Sequence, residues 1–157
     1  RDMINTPAQK WVLLSGTASS DGSAAITNST LRAALETGAA DVCIETSVYL
    51  GTNDTGLLLR CSNSSNYLRI SLSSTSLRLY KTQNGSTSLI GSAPVSLPLG
   101  CTYELRAIAS GSSVSLFLDG RNIATFSTSF NLGATRHGLY ANNRGVRRWE
   151  RFVASLP

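Results

Sequence analysis

Charge is scarce in this sequence: Asp, Glu, Lys and Arg together make up 15% of 157 residues, and acids are outnumbered nine to fourteen. Histidine occurs once, at His137, methionine once, and cysteine three times. Each shortage excludes something. Cys43, Cys61 and Cys101 are odd in number and far apart, so they give neither a disulfide framework nor zinc-type spacing. Lying in apolar, strand-like runs, they are expected to be free thiols used as small core residues, with one bridging pair left open. A lone histidine excludes a His-x-x-x-His metal site, and no Gly-x-Ser-x-Gly elbow accompanies it for a serine nucleophile. No apolar run approaches the length of a membrane-spanning helix, and Arg1-Asp2-Met3-Ile4 has no signal-peptide core. A start at Arg leads to the expectation of one domain, residues 1–157, excised from a longer polypeptide.

What is abundant is Ser, Thr, Gly and Asn set in strict alternation with apolar residues. In Tyr67-Leu68-Arg69-Ile70-Ser71-Leu72 the residues Leu68, Ile70 and Leu72 share one side, and Tyr67, Arg69 and Ser71 the other. The rhythm returns at 77–81, 103–109 and 114–118. Further strands are expected at 10–14, 24–27, 41–50, 56–61, 88–92, 122–127, 138–142 and 149–154. Asn84-Gly85 and Asp119-Gly120 supply the positive φ angles of tight hairpins. Residues 29–35, with Leu31, Ala34 and Leu35 at helical spacing, read equally as a short helix or an edge strand. About a dozen close-set strands predict an all-β, two-sheet antiparallel sandwich of jelly-roll form. Trp11 and Phe117, and with them Phe126, Phe130 and Phe152, are expected in its core.

The positive balance of +5 comes from twelve Arg and two Lys. Basic residues scattered along strands, without a basic groove interleaved with aromatics, do not describe a nucleic-acid surface. Strand arginines that keep sheet edges soluble, an acidic cell-surface glycan and an acidic neighbouring subunit all remain compatible with the charge.

From Val48 onward the chain resembles the concanavalin A-like lectin/glucanase, or laminin G-like, superfamily. The carrying segments are Gly56-Leu57-Leu58-Leu59-Arg60, Asn66-Tyr67-Leu68-Arg69-Ile70, Thr102-Tyr103-Glu104-Leu105-Arg106, Val114-Ser115-Leu116-Phe117-Leu118-Asp119-Gly120 and Arg136-His137-Gly138-Leu139-Tyr140. The Ser/Thr/Gly-rich strands also resemble modules of bacteriophage tail, fibre and other virion surface proteins. These resemblances imply a non-catalytic structural or adhesive module at a virion surface or extracellular. Its partners would be other virion subunits or host-surface carbohydrate, with no membrane insertion and repeated copies in a homo-oligomer. The alternative is a carbohydrate-binding module of a secreted bacterial enzyme.

Glycanases on this scaffold need two carboxylates flanking one bond. The Glu-x-Asp-x-Glu pattern is missing, Asp41 and Glu45 are about 13 Å apart along a strand, and Glu104 stands alone, best read as the partner of a strand arginine. Sugar binding calls for an aromatic plate with polar neighbours. Tyr67, Tyr80 and Tyr140, with Arg69, are the candidate ligand-binding residues; Tyr49 and Trp149 are weaker ones, and cross-strand packing is the competing role for each. Asn53 and Asp54 sit in the one compact oxygen-rich loop, a candidate for calcium or simply an Asx-type turn.

Overall fold

The computed structural model describes residues 11–17, 19–20, 24–27, 30–52, 54–142 and 145–157. Alternating side chains do what the pattern requires: every regular element among them is a strand. In chain order these are β1 (Trp11–Gly16), β2 (Ser19–Ser20), β3 (Ala24–Thr27), β4 (Leu31–Glu36), β5 (Val42–Leu50), β6 (Thr55–Asn63) and β7 (Asn66–Leu72). There follow β8 (Ser76–Gln83), β9 (Ser86–Pro94), β10 (Cys101–Ser110), β11 (Ser113–Leu118), β12 (Arg121–Ser127), β13 (Arg136–Ala141) and β14 (Arg147–Ser155).

Two seven-stranded antiparallel sheets face each other. The first runs β1-β4-β13-β6-β7-β8-β9 and the second β12-β11-β10-β5-β14-β3-β2. This is the expected all-β, two-sheet antiparallel sandwich of jelly-roll form. Leu57, Leu59, Leu68, Ile70, Leu77 and Leu79 from the first sheet meet Ile44, Val48, Leu105, Ala107, Val114 and Leu116 from the second, all fully or almost fully buried. Burial of such side chains is worth roughly 1.5–3 kcal/mol each before the loss of chain entropy is counted. Both hairpins expected from Asn-Gly and Asp-Gly form, with φ of 50° and 82° at Asn84-Gly85 and 48° and 79° at Asp119-Gly120.

Three expectations are corrected. Residues 31–36 form a strand, not a helix, and it lies inside the first sheet between β1 and β13. Leu31, Ala33 and Leu35 reach the core at a period of two, and this outweighs the helical spacing of Leu31, Ala34 and Leu35. Trp11 is 40% exposed on the edge strand β1, its ring edge-on to Phe152 at 5.0 Å. Phe117 points away from the core, because Leu116 and Leu118 take the inward positions, and Arg106 lies over its ring at 4.2 Å. Ser29, Asn53 and Arg144 lie outside the described residues.

Candidate functional site

Strand register decides what the first sheet shows on the side away from the core. Arg32 on β4 stands opposite Tyr140 on β13, Tyr140 opposite Gly56 on β6, Gly56 opposite Ser71 on β7, and Ser71 opposite Arg78 on β8. The adjacent row, over the same five strands, is Ala34, Gly138, Leu58, Arg69 and Tyr80. Because the side-chain period is two, these rows share one face. At Gly56 and Gly138 a Cβ would lie 1.9 Å from the carbonyl oxygens of Ile70 and Ala33, so no other residue fits where the strands approach most closely.

The sequence-predicted residues Tyr67, Arg69, Tyr80 and Tyr140 are thus brought together on one face. The guanidinium of Arg69 lies 4.3 Å from the ring centre of Tyr80 and 4.7 Å from that of Tyr140, and it donates a hydrogen bond to the Tyr140 hydroxyl. Rings with negative faces hold a cation well in this arrangement. Two of the tyrosines are not the exposed plates expected: Tyr67 is 2% and Tyr140 1% exposed. With Leu58 and Cys61 they form a second buried cluster, closed by Leu14 at one side and by Arg32, whose guanidinium lies 5.6 Å from the Tyr67 ring centre. Burial pushes the Tyr140 phenol up to about 12, although Arg69 pulls the other way, so it is neutral. Tyr80 and Arg69 remain partly exposed above this bed.

Four residues that the sequence reading passed over, Arg32, Arg78, Asn131 and Arg147, complete the face together with Asp54, which was expected as a calcium ligand or a turn residue. Arg78, exposed, donates to the Tyr80 hydroxyl at 3.2 Å, and Arg32 donates to Ser15 at 3.0 Å. Alternation with Tyr80 was a signal for Arg78; Arg32 lay in the segment read as either helix or edge strand. Asp54 accepts a hydrogen bond from Ser71 at 2.5 Å, and its backbone is tied to Leu72 and Asn142. The buried side chain of Arg147 in turn donates to the carbonyl oxygens of Asn142 and Gly145. One rim of the face is therefore a continuous hydrogen-bonded chain. The opposite rim is held by Asn131, which donates to the carbonyls of Arg60 and Asn66 at 3.0 and 3.3 Å.

The second sheet's outer face differs. There Glu45 pairs with Arg106 at 3.3 Å, Glu150 with Arg148 at 2.6 Å, and Glu104 with Arg151 at 2.5 Å. Glu104 also accepts from Ser47. Its arginine partner comes from β14, across β5. Trp149 is buried in the core and Tyr49 is half-buried on this second sheet. On the first sheet's outer face, one row beyond Ala34 and Gly138, Glu36 pairs with Arg136; elsewhere Asp41 pairs with Arg60, and Asp119 accepts from the Glu104 amide. Every acidic side chain among the described residues is thus engaged, and none of these contacts sets two carboxylates side by side for acid–base work.

His137 is buried and serves the backbone. Its Nδ1 accepts from the Arg60 amide at 3.1 Å, at a bulge where Arg60 takes φ 47°, and Nε2 donates to Ala39 at 2.9 Å. Burial lowers its pKa to about 4, so the ring is neutral near pH 7. The three cysteines are free; Cys61 is buried outside the main core, Cys43 half-buried and Cys101 exposed. Among the described residues no three His, Cys, Asp or Glu side chains gather as a metal site, and Asp54 has arginines rather than carboxylates around it.

No protein-family model and no curated protein sequence matches the chain. Solved structures do. Carbohydrate-binding module CBM66 from Bacillus subtilis superposes with a TM-score of 0.78 at 16% identity, over 92% of this chain and 94% of that one. A galectin from Caenorhabditis elegans matches at 0.58 and 12%, over 92% and 95%. A xylan β-1,4-xylosidase from Bacillus halodurans matches at 0.63 and 8%, over 84% of this chain and 32% of the enzyme. At these identities the likeness establishes the fold alone: that of carbohydrate-binding modules and lectins.

Proposed function

We propose that this chain is a non-catalytic glycan-binding module, and that it receives its ligand on the outer face of the first sheet, at Arg69, Tyr80 and Arg78. The observation that carries this reading is the Arg69 guanidinium stacked between two tyrosine rings, with no carboxylate partner of its own among the described residues. A stacked, partly exposed arginine beside an aromatic ring offers both directional donors and an apolar surface, as a sugar ring requires. Engagement of every described acid supports a binding role over hydrolysis.

Screening on a glycan array, followed by titration calorimetry with Tyr80→Ala and Arg69→Ala, tests the reading. Binding of at least one glycan, weakened about tenfold or more in both variants at unchanged thermal unfolding, is the expected result. An array without signal, or variants that bind as the parent does, would overturn it.

Both settings drawn from the sequence place the module outside a cell. Likeness to a carbohydrate-binding module supports the appended module of a secreted bacterial enzyme; the Ser/Thr/Gly-rich strands support the virion surface. Mass spectrometry of purified particles against the secreted fraction separates the two.

A further inference from the structure

We infer that the glycan recognised on this face is anionic, carrying a carboxylate or sulfate that meets Arg69 and Arg78. This rests on the glycan-binding reading above and adds the chemical class of the ligand.

On the first sheet's outer face Arg136 is paired with Glu36 at its edge of the register, but the arginines around Tyr80 and Tyr140 are treated differently from those of the second sheet. Arg106, Arg148 and Arg151, on the outer face of the second sheet, each have a carboxylate within ion-pair distance. Arg32, Arg69 and Arg78 have none among the described residues; their hydrogen bonds go to the neutral hydroxyls of Ser15, Tyr140 and Tyr80. Asp54, the one carboxylate near them, accepts from Ser71 and forms no ion pair with any of the three among the described residues, although its charge is felt by Arg78. Three arginines against the single carboxylate of Asp54 thus leave positive charge in excess here, in a chain whose net charge is already +5.

Two of these cations are also poorly solvated. The Nε atoms of Arg32 and Arg69 are buried and have no acceptor among the described residues. A guanidinium short of both water and counter-ion gains most from an incoming oxyanion, and its planar fork matches carboxylate or sulfate oxygens in pairs.

Hydrogen-bond inventory points the same way. Guanidinium groups only donate, so the exposed part of the face is rich in donors and poor in acceptors. Hydroxyls of a neutral sugar must also donate, and beyond Asp54 they find few partners. A carboxylate or sulfate brings acceptors only.

Titrating the whole chain with a polyuronate, a sulfated glycosaminoglycan and a neutral glucan tests the inference, with Arg69→Gln, Arg78→Gln and, on β12 away from this face, Arg121→Gln. Expected is binding to one or both anionic polymers, weakened about tenfold by each of the first two substitutions, unchanged by the third, and falling as salt rises. The stronger of the two anionic arms identifies carboxylate or sulfate. Binding to the neutral polymer alone overturns the inference and leaves the glycan-binding reading standing. Silence on all three and on a wider glycan array overturns both. Equal losses in Arg69→Gln, Arg78→Gln and Arg121→Gln would reduce the attraction to overall charge and also overturn it; Arg78 is exposed, so its variant keeps the test clear of folding defects.

Discussion

The indole Nε1 of Trp149, on the second sheet, donates a hydrogen bond to the carbonyl oxygen of Gly56, on the first, 3.1 Å away through the buried interior. A polar link across an apolar core is worth most where no water can replace it. Gly56 is also the residue opposite Tyr140 beneath the candidate site, so the indole holds the strand on which the ligand face is laid.

Trp149→Phe should therefore lose about 1–3 kcal/mol of stability by removing the donor and leaving the carbonyl unsatisfied. Urea unfolding will show it as a lower midpoint at an unchanged slope. A variant as stable as the parent would mean that the link contributes nothing.

The fold was legible because its information is local. Alternation at Tyr67–Leu72 and positive-φ pairs at Asn84-Gly85 and Asp119-Gly120 specify strands and hairpins without reference to the rest of the chain. The convergence of Tyr67, Tyr80, Tyr140 and Arg69 was legible only in part. Alternation says which side of a strand each occupies. It does not say that β13, some 60 residues beyond β7 in sequence and carrying Tyr140, lies two places from it in the sheet. Nor does it reveal that Arg32 and neighbouring side chains cover Tyr67 and Tyr140. Burial on the outer face of a sheet depends on rims built from distant loops, and Asp54, Asn131 and Arg147 could be assigned to those rims only once the topology was known.

Acid should weaken the protein through His137. Above pH 6.5 the imidazole is neutral in both folded and unfolded chains. As pH falls from 6.5 toward 4 the unfolded chain takes up a proton that the buried ring refuses, so stability is lost across that window. The loss approaches about 3 kcal/mol. Measured as unfolding free energy against pH, this component will be missing from His137→Asn, which has no titrating ring. Identical pH profiles for the two proteins would refute the assignment.

Asp41 supports a fully buried cation. Its carboxylate accepts from Arg60 at 3.0 Å and from the Gly111 amide at 3.0 Å, while the Arg60 side chain is 0% exposed. Asp41→Asn leaves the guanidinium without its counter-charge. The expected cost is about 1–3 kcal/mol, below that of a fully buried pair because Asp41 itself is half-exposed. Thermal unfolding of the variant at neutral pH reads this directly.

Tyr140→Phe keeps the ring beneath Arg69 and removes the hydroxyl that accepts its hydrogen bond. Stability should change little, and affinity for the ligand should fall about tenfold as the guanidinium loses its orientation. Calorimetry beside a denaturation curve distinguishes this from a general loss of structure. An unchanged affinity would show that the two rings alone fix Arg69.

Clamping Arg69 between Tyr80 and Tyr140 has a thermodynamic consequence. A surface arginine has several rotatable bonds, and immobilising such a side chain on binding costs roughly 0.5–1.5 kcal/mol. Here that disorder has already been surrendered during folding. Complex formation at this position starts from a frozen rotamer, which sharpens the distinction between ligands that fit its fixed orientation and those that do not.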